Sequence, residues 1–122
     1  MSHRPVSRTY SSAMDLNDYQ KAALRTAAPK EKKNELFHLL LGLVGETGEI
    51  AEKAKKIVRD QDSDFSRWDI EDFKKELGDT LWYVAVIADY FGVPLEDVAQ
   101  LNIAKLADRQ QRAMLGGSGD NR

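Results

Sequence analysis

Two short segments of this 122-residue sequence carry acids in the same pattern, Glu46-Thr47-Gly48-Glu49 and Glu76-Leu77-Gly78-Asp79, with 26 residues between Glu49 and Glu76. Acids three apart on a helix lie on one side of it, so each segment presents a pair of carboxylates. On a wheel of about 100° per residue with Leu43 as zero, Glu46 falls at about 300° and Glu49 at about 240°. With Phe73 as zero, Glu76 and Asp79 fall at about the same two angles. Each pair therefore edges the apolar stripe of its own helix. If the two helices pack antiparallel, four carboxylates converge on one patch. Mutual repulsion and partial desolvation make such a patch unfavourable unless a divalent cation fills it. Hard oxygen donors suit magnesium, with manganese as the other candidate. Acid pairs at this spacing usually face solvent and are balanced by lysine. The matched offset separates these four from Glu52, which falls about 180° from Leu43 and is expected in solvent.

The elements that must position these acids are four helices. The first is expected from about Asp15 to Ala27, ending before Pro29, and the second from about Lys32 to Arg59. Leu36, Leu40, Leu43, Ile50, Ala54 and Ile57 supply the helical repeat of the second. Residues 59–68 form a turn-rich connection. Asp69 is a natural N-cap for a third helix that ends at Gly92, with Phe73, Leu77, Val84, Ile87, Ala88 and Phe91 as its apolar face. Pro94 suits the first turn of a fourth, reaching about Leu115. A ten-residue connection between two long helices implies antiparallel packing. The expected fold is all-α, an antiparallel helical hairpin within a four-helix bundle. Residues 1–14 are expected to be a flexible arm, 15–115 the domain, and 116–122 a flexible tail.

Composition narrows the function classes. Hydrophobic residues are 42% and charged residues 31% of the chain, enough for one modest core. So small a domain buries a limited share of its surface, and the core is expected to be completed by homo-oligomerisation, as a dimer or tetramer. A formal charge of −2 gives no support for binding nucleic acid or for a polybasic membrane anchor. No apolar run is long enough to span a bilayer, and no signal peptide is visible, so a cytoplasmic protein is expected. There is no cysteine, which excludes disulfides and thiolate sites. The two histidines, His3 and His38, are far apart, which argues against zinc. Gly42, Gly45 and Gly48 could suggest a phosphate loop, but no Gly-Lys-Ser/Thr follows and no strand precedes. Close helix approach, or room for the acids, is the better account.

The pattern Glu-x-x-Glu, 26 residues, Glu-x-x-Asp resembles the signature of the MazG-like all-α nucleoside triphosphate pyrophosphohydrolases. The resemblance extends through LLLGLVGETGEIAEKAKKIV (39–58) and FKKELGDTLWYVAVIADYFGVPLEDVAQLNIAKLADR (73–109). It implies that Glu46, Glu49, Glu76 and Asp79 hold magnesium, that the metal binds the triphosphate, and that the products are a nucleoside monophosphate and pyrophosphate. It also implies that Asn102 and Lys105, an i, i+3 pair on the next helix, contact substrate.

Cleaving a phosphoanhydride needs neutralised phosphates and a positioned water, and Glu46 or Glu49 is the expected group to orient or deprotonate that water. Asn102, Lys105, Arg109 and Arg112 fall within about 80° on the fourth helix and make one polar, basic stripe. Lys53 and Lys56 share the acid face of the second helix, where they could reach phosphates or simply balance Glu49 and its neighbours. Tyr83 lies beside the acids. Trp82 points away from its own helix's apolar face and is expected against a partner subunit, while Phe65 and Trp68 are expected to cover the end of the hairpin. The expected activity is thus a magnesium-dependent pyrophosphohydrolase of the nucleotide pool; the alternative is a non-catalytic nucleotide-sensing or oligomerisation module. The preferred base is not legible.

Overall fold

The computed structural model describes residues 13–29 and 32–114, and the described residues contain helices and no strand. The expected arm lies outside them except for Ala13 and Met14, as does the tail 116–122. Helix α1 spans Leu16–Leu24, α2 Glu35–Asp60, α3 Ile70–Tyr90 and α4 Leu95–Met114.

Local chemistry sets these ends. Asp15 accepts from the Asp18 N–H at 2.7 Å while Asp18 accepts from the Asp15 N–H, a reciprocal capping box. The second helix begins at Glu35, later than the periodicity suggests, because Asn34 sits in the left-handed region at φ 64°. Asp62 and Ser63 also have positive φ, and with a 3₁₀ turn at Phe65–Arg67 they reverse the chain. Asp69 then caps α3 through the N–H groups of Glu71 and Asp72. Gly92, at φ 71°, turns the chain after α3 as only glycine does without strain.

The α2–α3 pair is the main packing unit, and it is antiparallel: Gly42 meets Tyr83, Glu46 and Glu49 meet Glu76, and Lys53 meets Asp72. Leu39 and Ile57 are the buried apolar residues of α2, with Leu36, Leu43 and Ile50 half-buried. Leu40, expected inside, is 42% exposed. On α3 the buried residues are Ala85, Val86 and Ala88, while Leu77 and Phe91 are exposed instead of facing the core. The reason is that α3 is covered from two directions. Helix α2 packs on one flank and α1 on another, so the buried arc is rotated from the stripe that periodicity picks out. Ala85 is fully buried, and its small side chain admits the close neighbour that a larger residue would hold off.

The same geometry corrects the expectation for Trp82. It packs half-buried against the chain's own core, and its indole N–H donates to the Thr26 hydroxyl at 2.8 Å. Phe65, Trp68 and Phe73 pack with tilted rings at the hairpin end, with centroid separations of 5.8 and 4.7 Å.

Helix α1 also holds the start of α4. Gln20 is buried, donates to the carbonyls of Ala85 and Val93, and accepts from the Leu95 N–H at 3.0 Å. Asn17 accepts from the Glu96 N–H at 3.1 Å. Two side chains of α1 thereby satisfy the N–H groups that begin α4, a task usually left to a local cap. Replacing Gln20 by Leu strands these groups in the core and should lower unfolding free energy by about 2–4 kcal/mol. Asn17→Ala, which loses one cap bond, should cost about 1 kcal/mol. Urea denaturation measures both, and a Gln20→Leu protein as stable as wild type would show that this clip does not hold α4.

Candidate metal centre

Glu46 and Glu49 stand one turn apart on the face of α2 that meets α3, and Glu76 stands opposite them. One carboxylate oxygen from each lies within 4.8 Å of the others. Glu46 and Glu76 are half-buried and Glu49 is exposed, so the group opens to solvent on the Glu49 side. Oε2 of Glu46 and Oε2 of Glu76 are shut off from solvent with no hydrogen-bond partner. Orphaned buried acceptors are uncommon and costly. Two of them beside a third carboxylate, all hard oxygen donors, fit a divalent cation such as magnesium or manganese.

The fourth acid of the pattern stands slightly apart. Asp79 is exposed and is outside the three-carboxylate group, although its charge reaches Glu46. Burial, then the charges of Asp79, Glu49 and Glu76, and a hydrogen bond with Glu49 hold the Glu46 carboxyl above the usual glutamate range. Asp79 also faces Tyr19 of α1, whose phenol is raised first by burial and then by that charge. Tyr19 is a neighbour of the site that sequence reasoning did not find. Periodicity placed it on a helix, and nothing in the pattern told which face of that helix would meet α3.

Among the remaining residues singled out from sequence, Lys53 is at the acids. Its ammonium is 2.5 Å from Asp72 and 3.5 Å from Glu76, and hydrogen bonding to Asp72 leads the effects that hold it above the ordinary lysine range. Tyr83 crosses to α2 at Gly42, one turn before Glu46, where an added methyl would collide with the tyrosine ring and hydroxyl. The absence of a side chain at 42 is what admits that phenol. At Gly45 and Gly48 nothing lies within 4 Å of an added Cβ, so close approach does not explain those two.

Helix α4 contributes less directly. Asn102 and Lys105 are exposed and border an open groove of about 340 Å³ with Val93, Asp97, Val98 and Leu101. Arg109 is half-buried and its Nε is shielded from solvent without a partner. Arg112 pairs with Asp108 at 3.0 Å. Glu52 is exposed and pairs with Lys55.

Comparison with known proteins identifies the family. Residues 35–114 match the MazG nucleotide pyrophosphohydrolase domain, a span that holds all four acids and the whole of α2, α3 and α4. Over 114 residues the chain is 43% identical to the Gene 37 protein of Mycobacterium phage L5, covering 89% of this chain and 100% of that protein. No solved structure matches. The chain belongs to the MazG nucleotide pyrophosphohydrolase domain family.

The raised Glu46 pKa has a defined consequence for stability. The folded chain binds that proton more tightly than the unfolded chain, so the charged form costs stability at neutral pH. Lowering the pH through the raised value, towards the unfolded one, should therefore return stability to the cation-free protein. Asp60 and Asp64, both held below the usual aspartate range, act with the opposite sign. Glu46→Gln isolates the contribution. Urea titrations in chelator should show wild type approaching the variant's stability as pH falls, and a constant gap between them would refute the assignment.

Proposed function

Taking that membership as premise, we propose that the chain is a cytoplasmic, magnesium-dependent pyrophosphohydrolase that cleaves a nucleoside triphosphate, ribo or deoxyribo, to the monophosphate and pyrophosphate. The observation that carries the reading is the group of three carboxylates with two orphaned oxygens, within a MazG domain. Glu46, Glu49, Glu76 and Asp79 are the residues that would hold magnesium, or manganese in its place. When bound, such an ion neutralises phosphate charge and lowers the pKa of water.

The chain's own groups divide the remaining work. Glu49 is the exposed acid of the cluster and Glu46 the shielded one, and either carboxylate orients and deprotonates the attacking water. Asn102, Lys105 and Arg109 contact the phosphates from α4. A guanidinium with a shielded, unpartnered Nε is suited to an anion that brings its own acceptors.

The working unit is a homo-oligomer. Among the described residues, no large side chain is fully buried within one chain. Helix α2 is apolar on a second side, where Phe37, Leu41 and Val44 follow a helical spacing and are 65%, 70% and 67% exposed. Leu77 and Leu81 on α3 are also uncovered. A monomer seldom leaves such a face in water, and a second copy offers the same apolar stripe in return.

Purified protein incubated with each nucleoside triphosphate and magnesium should release monophosphate and pyrophosphate, resolved by ion-exchange chromatography. Binding without turnover would instead indicate a nucleotide-sensing module. Glu49→Gln should reduce turnover at least about a hundredfold while circular dichroism stays unchanged; full activity in that variant would sink the metal-site assignment. Light scattering after size exclusion should give a dimer or tetramer that Leu41→Lys with Val44→Lys disrupts, and a monomeric wild type would overturn the oligomer.

A further inference from the structure

Among the described residues, the Glu76 contact to Lys53 is the one ion pair made by any of the four acids. The two oxygens of Glu76 are treated differently. Oε1 is 3.5 Å from the Lys53 ammonium, whereas Oε2 is shielded and unpartnered. Lys53 itself is shared, because Asp72, at the opening turn of α3, holds it at 2.5 Å. Asp72 is thus a second seat for the ammonium, outside the carboxylate group.

We infer that Lys53 is a built-in counter-cation of the acid cluster, shared between Glu76 and Asp72, that competes with a divalent ion for Glu76 and is kept by Asp72 alone when that ion arrives. This inference rests on the proposed metal reading and adds to it what sets the affinity. Without a divalent ion, three carboxylates within 4.8 Å repel one another, and the ammonium offsets part of that repulsion. With a divalent ion on Glu76, an ammonium on the other oxygen of the same carboxylate becomes a like charge at short range. The Asp72 seat lets the lysine withdraw without being left unpaired. Lys53 therefore stabilises the empty site and weakens the filled one, while Asp72 does the reverse by drawing the ammonium away.

The two variants should move in opposite directions. Lys53→Met removes the competitor, and the full chain should bind Mn²⁺ about threefold to fivefold more tightly, the scale of a partly exposed ion pair. Asp72→Asn leaves the ammonium on Glu76 alone and should weaken binding by about the same factor. Lys53→Arg keeps the charge and should stay near wild type. Free Mn²⁺ is read by electron paramagnetic resonance at low salt and fixed pH, independently of turnover. Unchanged or weaker binding in Lys53→Met would overturn the inference and leave the metal reading intact. Should Lys53→Met not fold, tighter or unchanged binding in Asp72→Asn would overturn it in its place. Wild type that binds no Mn²⁺ would overturn both.

Discussion

Three carboxylates within 4.8 Å of one another repel, and the packing of α2 on α3 must hold them together against that repulsion. The hairpin does so with contacts placed on both sides of the acids. On one side Gly42 receives the ring of Tyr83, and on the other Lys53 joins Asp72. Glu46, Glu49 and Glu76 lie between these two fixed points. The strain that the cluster represents is local, and it shows in a raised Glu46 and in two shielded oxygens with no partner. A structural ion-pair network would have satisfied those oxygens. In the proposed function those oxygens are the donors that a cation would meet.

Helix α1 and the α3–α4 turn form a second unit with a different physics. Here buried polar groups are satisfied: the Gln20 amide makes three hydrogen bonds, one of them to the start of α4, and the half-buried Asn17 adds a second bond there. A network in that state fixes relative position more sharply than apolar contact does. It ties α4 to α1 at one end only, through Leu95 and its neighbours. Beyond that anchorage Leu101, Ile103 and Leu106 remain uncovered. The basic residues proposed to meet phosphates ride on this same helix, so their placement and the burial of its apolar face are parts of one problem. Tyr19 links the two units, since it packs against the core from α1 while facing Asp79 of the acid pattern.

The acids, their pairing and the four helices were legible in the sequence because each depends on spacing along the chain. An i, i+3 pair shares a helix face whatever surrounds it, and Asp15, Asp69, Gly92 and Pro94 mark helix ends through chemistry within a few residues. The shielding of Glu46 also followed from its position at the edge of a stripe. What the sequence did not reveal was which arc of α3 is buried, where Trp82 points, that Lys53 is drawn to Asp72 and Glu76, or that Tyr19 stands by Asp79. Those facts join residues that are far apart in the chain. They depend on the angle at which α1 and α2 approach α3, and that angle is set by packing across the whole core, which no local spacing encodes.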